Sequence, residues 1–146
     1  WASKLMASLG VLTRKQPTQH QIEDVEFGRE MALAIGGLDI GQTVVVKNRA
    51  VLVVEAIEGT DKAILRVRDL NIPNSVVVKM AKPNQDMRFD VPGVGPSTIR
   101  SMVSAGAKVL AVQVGKTMIA NPEETLAAAN DAKICVMGVN AVGPVL

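Results

Sequence analysis

The segment from Lys82 to Pro92 contains side chains that could bind and hydrolyse a phosphate ester. Two carboxylates, Asp86 and Asp90, could hold a divalent metal ion or activate a water molecule. Lys82 and Arg88 could neutralise phosphate oxygens, and the guanidinium can do so in a bidentate fork. The same composition is also typical of an exposed loop whose charges form ordinary ion pairs. The local sequence leaves both interpretations open.

A second candidate site lies in residues 55–61, where a predicted strand delivers acidic side chains into a glycine turn. Glu58 and Asp61 could bind a metal ion. Alternatively, the backbone amides of a helix that begins after Gly59 could bind an anionic group. The simpler interpretation is a capped helix in which Asp61 is an acidic residue of the first turn and nothing more.

A lysine at a predicted turn is the third candidate. The tripeptide Gly115-Lys116-Thr117 is similar to the end of a phosphate-binding P-loop, but the earlier glycine of that motif is missing. A short strand, rather than the required helix, is predicted to follow. We therefore reject a P-loop. Lys116 could still contact a phosphate, although a solvated lysine is the more common case.

Composition and residue counts exclude several classes of function. His20 is the only histidine, so neither a Ser-His-Asp triad nor a histidine-based metal site can be built from this sequence. Cys135 lies in an apolar run and is predicted to be a buried, unreactive thiol. The 16 basic and 14 acidic residues give no strong field, and aromatic residues at 2% leave little for base stacking. Nucleic acid is therefore not an expected partner.

The sequence contains no apolar run that approaches the roughly 20 residues of a membrane span. No charged segment followed by an apolar one opens the chain, as a secretion signal would. We therefore expect a cytoplasmic protein.

These candidate sites are positioned by an alternation of predicted helices and strands. Thr18 and Gln21 form a predicted capping box for a helix that extends to Gly36. Two β-branched runs, 43–46 and 50–56, predict a hairpin. The remaining predicted elements are helices that begin near Gly59, Pro96 and Asn121, strands at 75–80, 109–114, 117–120 and 134–139, and a polar loop at 82–95.

This order of elements predicts an α/β fold, in which a single layered domain has a mixed β-sheet that contains the hairpin and is flanked by helices. With 146 residues, the chain has room for one domain of ordinary size. We assign this domain to residues 18–146. Residues 1–17 are interpreted as a linker from a preceding domain, because the chain opens on Trp1 rather than on an initiator methionine.

Several sequence blocks, in their order and spacing, resemble one family. It is the UDP-2,3-diacylglucosamine pyrophosphatase family of the type that is not calcineurin-like. The resemblance extends from about Val11 to the last predicted strand and corresponds to the C-terminal, catalytic half of that family. The blocks are residues 55–61, Lys79 with Lys82-Pro83, residues 85–92, Gly95 with Thr98-Ile99, and residues 109–111 before Gly115-Lys116-Thr117.

The resemblance implies hydrolysis of UDP-2,3-diacylglucosamine to UMP and 2,3-diacylglucosamine 1-phosphate, a step of lipid A synthesis at the cytoplasmic face of the inner membrane. It also implies a divalent metal, Mg²⁺ or Mn²⁺. The family's key aspartate lies in an Arg-x-Asp-x-Pro motif, which corresponds to Asp90. The expected site comprises catalytic Asp90, Asp86 and Arg88, phosphate ligands Lys82, Lys79, Lys116 and Thr60, and metal ligands Asp90, Asp86, Glu58 and Asp61.

The resemblance further implies that the N-terminal half of the protein is a partner of this one. We also expect a homodimer and transient contact with the inner membrane surface. Gln113-Val114 stands where the family pattern has Glu-Ala, and Asn121 lies near an expected aspartate, so negative charge is reduced on that side. The alternative function is a non-catalytic sugar-nucleotide-binding or dimerisation module.

Overall fold

The computed structural model describes residues 3–88 and 91–146, and these residues form two β-sheets and four α-helices. Trp1, Ala2, Phe89 and Asp90 lie outside the described residues. The strands are β1 (Lys4–Met6), β2 (Gly10–Val11), β3 (Thr43–Lys47), β4 (Ala50–Val54), β5 (Val76–Lys79), β6 (Gly93–Val94), β7 (Val109–Gln113), β8 (Met118–Ala120) and β9 (Cys135–Val139). The helices are α1 (Gln19–Gly37), α2 (Thr60–Leu65), which continues as a 3-10 turn (Arg66–Leu70), α3 (Pro96–Ala105) and α4 (Pro122–Asp131).

The larger sheet has six strands in the order β2-β9-β7-β5-β3-β4. Strands β5, β7 and β9 are parallel, whereas the β3–β4 hairpin and β2 are antiparallel to their neighbours. The connections between the parallel strands contain α3 and α4, as a parallel sheet requires. The predicted α/β fold, with a mixed sheet that contains a hairpin, is confirmed.

Helices cover both faces of the larger sheet. Alternate valines of one strand point to opposite faces, since the side-chain period of a strand is two. Val44 belongs to an apolar cluster with Val25 of α1, whereas Val45 belongs to a second cluster with Ile64 of α2 and Met102 of α3. The near-continuous valine runs of the central strands are explained by this two-sided burial.

The tip of the β3–β4 hairpin is held by a buried carboxylate of α1. Asn48 and Arg49 both have positive φ angles, of 52° and 55°, as a type I′ turn requires. Their backbone N–H groups donate to Asp24 Oδ2 and Oδ1 at 3.1 Å and 2.8 Å. Asp24 is only 1% exposed, so these two hydrogen bonds compensate for the burial of its charge.

The smaller sheet has three strands in the order β1-β8-β6. Strand β8 confirms the strand predicted at 117–120, but its neighbours are β1 and β6. The turn after β7 therefore carries the chain out of the larger sheet. The predicted loop at 82–95 also contains a strand, β6, near its end.

Two strands lie within residues 3–17. Strand β1 pairs with β8, and β2 pairs with β9, so both contribute to the sheets of the domain. The interpretation of this segment as an interdomain linker stays a prediction, as does a domain boundary at residue 17. Among residues 3–88 and 91–146, the helices lack the combination of length and apolar composition that a membrane-spanning helix needs.

Candidate functional site

A cleft of about 700 Å³ opens at the carboxyl end of β5, and we call it the main cleft. The end of β5 lies beside the start of β3, where Lys79 pairs with Thr43. Ligands of α/β domains bind at this edge of the sheet, outside the carboxyl ends of parallel strands. The cleft is lined by Lys4, residues 58–62, Lys79, Val91, residues 93–98, Met118 and Ala120.

Lys79 lies at the floor of the main cleft. It is the last residue of β5 and is only 7% exposed. Its ammonium group donates hydrogen bonds of 3.0 Å to Thr60 Oγ1 and 2.9 Å to the carbonyl oxygen of Gly93. A lysine is rarely buried to this extent. Its charge is therefore held at a fixed point of the cleft, with β5 on one side and β6 on the other.

A polar network lies around Thr60 and includes Glu55, which belongs to the candidate segment 55–61 but had no role assigned to it from the sequence. Thr60 Oγ1 is 3.2 Å from Thr43 Oγ1 and 3.4 Å from Glu55 Oε1. Glu55 Oε1 also accepts a hydrogen bond of 3.1 Å from the backbone N–H of Gln42. The position of Glu55, directly after β4 at the edge where Lys79 ends β5, was the signal that could have identified it.

Two carboxylates line the main cleft, and each has a partner. Glu58 Oε1 accepts hydrogen bonds from the Ala56 N–H at 2.9 Å and from Arg66 Nη2 at 3.0 Å. The Ala56 hydrogen bond is the largest cause of a lowered pKa for Glu58, and the hydrogen bond and charge of Arg66 add to it. Asp61 Oδ2 accepts the hydroxyl of Ser97 at 2.7 Å. Asp61 lies in the first turn of α2, and Glu58 lies just before that helix.

Glycines allow the backbone to form the cleft walls. Gly59 has φ of 91° and ψ of 168°, a conformation that is essentially restricted to glycine, and it leads directly into α2. Gly95 precedes α3, and a Cβ atom there would lie 3.3 Å from Ala120 Cβ. A larger residue at this position would therefore press on β8. The α3 N-terminus adds its positive dipole end to the cleft.

A separate depression of about 260 Å³, which we call the side pocket, contains two other predicted phosphate ligands. Lys82 forms an ion pair of 3.0 Å with Asp39. Lys116 is exposed at the turn after β7. The predicted phosphate ligands are thus divided between two places. The side pocket is lined by Leu33, Ala81, Lys82, Pro83, Gln85, Met87, Gln113 and Lys116.

Asp86 and Arg88 form an ion pair within the loop that follows β5. The Arg88 backbone N–H donates to Asp86 Oδ1 at 3.0 Å, and Nε and Nη2 of its guanidinium each lie 3.3 Å from a carboxylate oxygen. The side-chain hydrogen bond is the main cause of a lowered pKa for Asp86. In the described part of the chain, these two residues line neither depression. Asp90, the predicted catalytic residue, lies outside the described residues.

The carboxylates do not form a closed metal site. Among residues 3–88 and 91–146, no three histidine, cysteine, aspartate or glutamate side chains come together in an arrangement that could hold a metal ion. Magnesium needs fewer protein ligands, because it keeps several waters and is commonly bound through one or two carboxylates and the substrate phosphates. The main cleft is lined by two carboxylate residues, Glu58 and Asp61. The thiol of Cys135 is buried, and because burial raises its pKa to about 11, it is a poor metal ligand and a poor nucleophile near neutral pH.

Comparison with known proteins identifies the family. Residues 8–137 match the LpxI C-terminal domain. The chain is 36% identical over 141 residues to the protein named UDP-2,3-diacylglucosamine pyrophosphatase LpxI of Caulobacter vibrioides. That match covers 90% of this chain and 50% of the relative, so the chain spans about half the length of the curated relative. The resemblance read from the sequence is thereby confirmed, and the chain belongs to the LpxI family, with its match in the C-terminal domain of that family.

Proposed function

We propose that this chain carries the C-terminal, catalytic part of a UDP-2,3-diacylglucosamine pyrophosphatase of lipid A synthesis. In the reaction, water adds to one phosphorus of the pyrophosphate and the bridging P–O bond breaks, which yields UMP and 2,3-diacylglucosamine 1-phosphate. The observation that carries this proposal is the buried ammonium group of Lys79 at the floor of the main cleft. The name of the Caulobacter vibrioides relative supports the substrate.

The main cleft has the charges that a pyrophosphate needs. Lys79 and the α3 N-terminus present positive charge to phosphate oxygens, and such preorganised groups stabilise the charge that develops in the transition state. Glu58 and Asp61 would hold a Mg²⁺ or Mn²⁺ ion, which neutralises phosphate oxygens when bound. Asp90 remains our candidate for orienting the attacking water, on the basis of its motif. Asp86 and Arg88, the other two candidate catalytic residues, precede it closely in the sequence.

Lys82 and Lys116 have a different place in this proposal. They line the side pocket together with Leu33 and Met87, so this pocket combines cations with apolar side chains. We propose that these lysines contact the substrate at another point than Lys79 does. A nucleotide-linked glycolipid is long enough to occupy more than one depression, and the two lysines could bind a second anionic group there.

The test is product analysis after incubation with UDP-2,3-diacylglucosamine and magnesium. It is done with this chain alone and with this chain joined to the half of the Caulobacter vibrioides relative that it does not cover. We expect UMP from the joined protein and a loss of at least about 100-fold in kcat for Lys79→Met. Lys47→Met, at the far end of β3, is the matched control and should retain activity.

The alternative function makes a different prediction. A non-catalytic module would bind UMP or the intact substrate, measured by calorimetry, without releasing product in either form. That result would reject the pyrophosphatase. Chelation of the metal with EDTA tests the proposed cofactor separately, because unchanged turnover after chelation would reject the metal and leave the reaction in place.

A further inference from the structure

The hydroxyl group of Thr60 has a complete set of hydrogen-bond partners. A threonine hydroxyl can donate one hydrogen bond and accept two. Three polar atoms lie within reach of Thr60 Oγ1, namely Lys79 Nζ at 3.0 Å, Thr43 Oγ1 at 3.2 Å and Glu55 Oε1 at 3.4 Å. The number of partners therefore equals the capacity of the group.

The chemistry of the partners fixes the direction of these hydrogen bonds. An ammonium group can only donate, so Thr60 accepts from Lys79. An ionised carboxylate can only accept, so Thr60 donates its single proton to Glu55. The remaining lone pair of Thr60 then accepts from Thr43. This arrangement satisfies every group, including Thr43, whose side chain is fully buried.

We propose that Thr60 is not a phosphate ligand, and that Glu55 and Thr60 are positioning residues that hold the Lys79 ammonium group toward the substrate pyrophosphate. Thr60 lines the main cleft, but its hydroxyl has no donor left for a phosphate oxygen. Glu55 keeps the hydroxyl proton turned away from Lys79, so that a lone pair of Thr60 faces the ammonium group. This proposal rests on the proposed function, because it assumes that Lys79 binds a substrate phosphate.

Two further contacts fix the two ends of the hydrogen-bond series that runs from Glu55 through Thr60 to Lys79. Glu55 is fixed by the backbone N–H of Gln42, which donates to the same carboxylate oxygen at 3.1 Å. Lys79 is fixed by the carbonyl oxygen of Gly93 at 2.9 Å. The geometry therefore extends from the end of β4, through the start of α2, to the end of β5. A lysine held in this way can stabilise the charge that develops in the transition state without changing its own conformation.

A matched pair of variants separates positioning from packing. Thr60→Val keeps the shape of the side chain but removes the hydroxyl, whereas Thr60→Ser keeps the hydroxyl but removes the methyl group. We expect kcat to fall on the order of tenfold in Thr60→Val, which corresponds to one lost hydrogen bond, and to stay within about twofold in Thr60→Ser. A role in packing alone would give the opposite order.

Glu55→Gln tests the Glu55 end of this series of hydrogen bonds. It keeps an oxygen that can accept from Gln42 but removes the charge, and we again expect kcat to fall on the order of tenfold. If Glu55 acts through Thr60, the double variant Glu55→Gln/Thr60→Val loses no more than Thr60→Val alone. Glu26→Gln, an exposed carboxylate on α1, is the matched control. Thermal unfolding of each variant shows whether the fold is intact.

The outcomes distinguish this proposal from the function on which it rests. If Lys79→Met loses turnover while Thr60→Val and Glu55→Gln keep it, the positioning role is wrong and the pyrophosphatase stands. If the unsubstituted protein releases no UMP, the pyrophosphatase is wrong. In that case the positioning role is tested by the affinity for inorganic pyrophosphate, measured by calorimetry. The role is supported if Thr60→Val weakens this affinity and Thr60→Ser does not. It is overturned if both variants bind pyrophosphate as the unsubstituted protein does.

Discussion

The side chains of Gln42 and Gln85 form a hydrogen bond of 2.6 Å between residues that are 43 positions apart. Gln42 directly precedes β3, and its backbone N–H binds the Glu55 carboxylate next to the main cleft. Gln85 belongs to the loop after β5, and its Oε1 also lies 3.3 Å from the backbone N–H of Lys82. The loop that carries Asp86 is thereby attached to the polar network of the main cleft.

Removal of the hydrogen bond between Gln42 and Gln85 should increase the mobility of the loop more than it lowers the stability of the fold. In Gln42→Ala, we expect faster hydrogen exchange in residues 82–88 and a several-fold decrease in turnover. The free energy of unfolding should fall by only about 1 kcal/mol, because one hydrogen bond is lost and the backbone N–H of residue 42 is retained. Mass spectrometry of exchanged peptides is the measurement.

Gln16→Ala, at an exposed position before α1, is the control for this experiment. Exchange in residues 82–88 that is the same in Gln42→Ala and in the unsubstituted protein would show that the two glutamines do not restrain the loop.

The hairpin tip offers a test of stability that is separate from the site. Asp24→Ala leaves the N–H groups of Asn48 and Arg49 without the carboxylate that both now contact. We expect the free energy of unfolding to fall by about 2–4 kcal/mol, because hydrogen bonds to a charged group are stronger than neutral ones. Urea denaturation followed by circular dichroism measures the effect.

Asp24→Asn should have an intermediate effect. One of the two oxygens that now accept the N–H groups of Asn48 and Arg49 is replaced by an NH2 group, which cannot accept a hydrogen bond. Glu26→Ala, on the same helix but exposed, controls for the loss of a carboxylate from α1. Equal stability of Asp24→Ala and Glu26→Ala would show that the buried carboxylate does not stabilise the turn.

The sequence predicted the elements well because each depends on local chemistry. The capping box of Thr18 and Gln21 is present at the start of α1, with the Gln21 N–H donating to Thr18 Oγ1 at 3.1 Å. The valine runs of β3 and β5 form strands as predicted, and their valines are fully buried. Pro96 lies at the start of α3. Such signals are contained within a few residues of the chain.

The arrangement of the site was less predictable, because it depends on contacts between distant residues. Lys79 and Lys82 are only three positions apart, yet they line different depressions. Glu55 joins the site through Thr60 and Gln42, and the sequence alone does not show which turn meets which strand. The second sheet was missed because β1 and β6 are too short for a clear pattern, and because the sequence does not show that β8 pairs with them.

The backbone at Gly59 should be necessary for both stability and activity. Its conformation, with φ of 91° and ψ of 168°, is strained for any other residue, although a Cβ atom would meet no neighbour within 4 Å. We expect Gly59→Ala to lower the free energy of unfolding by about 1–3 kcal/mol. Turnover should also decrease, because Thr60 and Asp61 follow directly. Urea denaturation and the UMP assay give the two values.

Gly37→Ala is the matched control, because a Cβ atom at the end of α1 would also meet no neighbour within 4 Å and the φ angle there is ordinary. Alanine favours helix over glycine, so this variant should be neutral or slightly more stable. If both variants behave alike, the strain at Gly59 is not a determinant of the cleft.

The ion pair of Asp86 and Arg88 makes a prediction about pH. Hydrogen bonds from the Arg88 side chain, and then from its backbone, hold the pKa of Asp86 below its usual value of 3.8. A carboxylate with a lowered pKa in the folded state contributes stability above its unfolded pKa and loses that contribution as the pH falls through the folded value. Arg88→Met should therefore raise the pKa of Asp86 toward the usual value, measured by NMR titration of the side-chain carboxyl carbon.

The same variant separates the role of Arg88 in turnover from the charge of Asp86. Asp86 stays ionised in both proteins at pH 6–8. In that range Arg88→Met therefore removes the positive charge of Arg88 without changing the charge of Asp86. A decrease in turnover across that range would consequently report on Arg88 itself. Arg100→Met, an exposed arginine of α3, is the control for loss of a positive charge. If the titration of Asp86 is the same in Arg88→Met, the ion pair does not form in solution, and the loop is held by its other contacts.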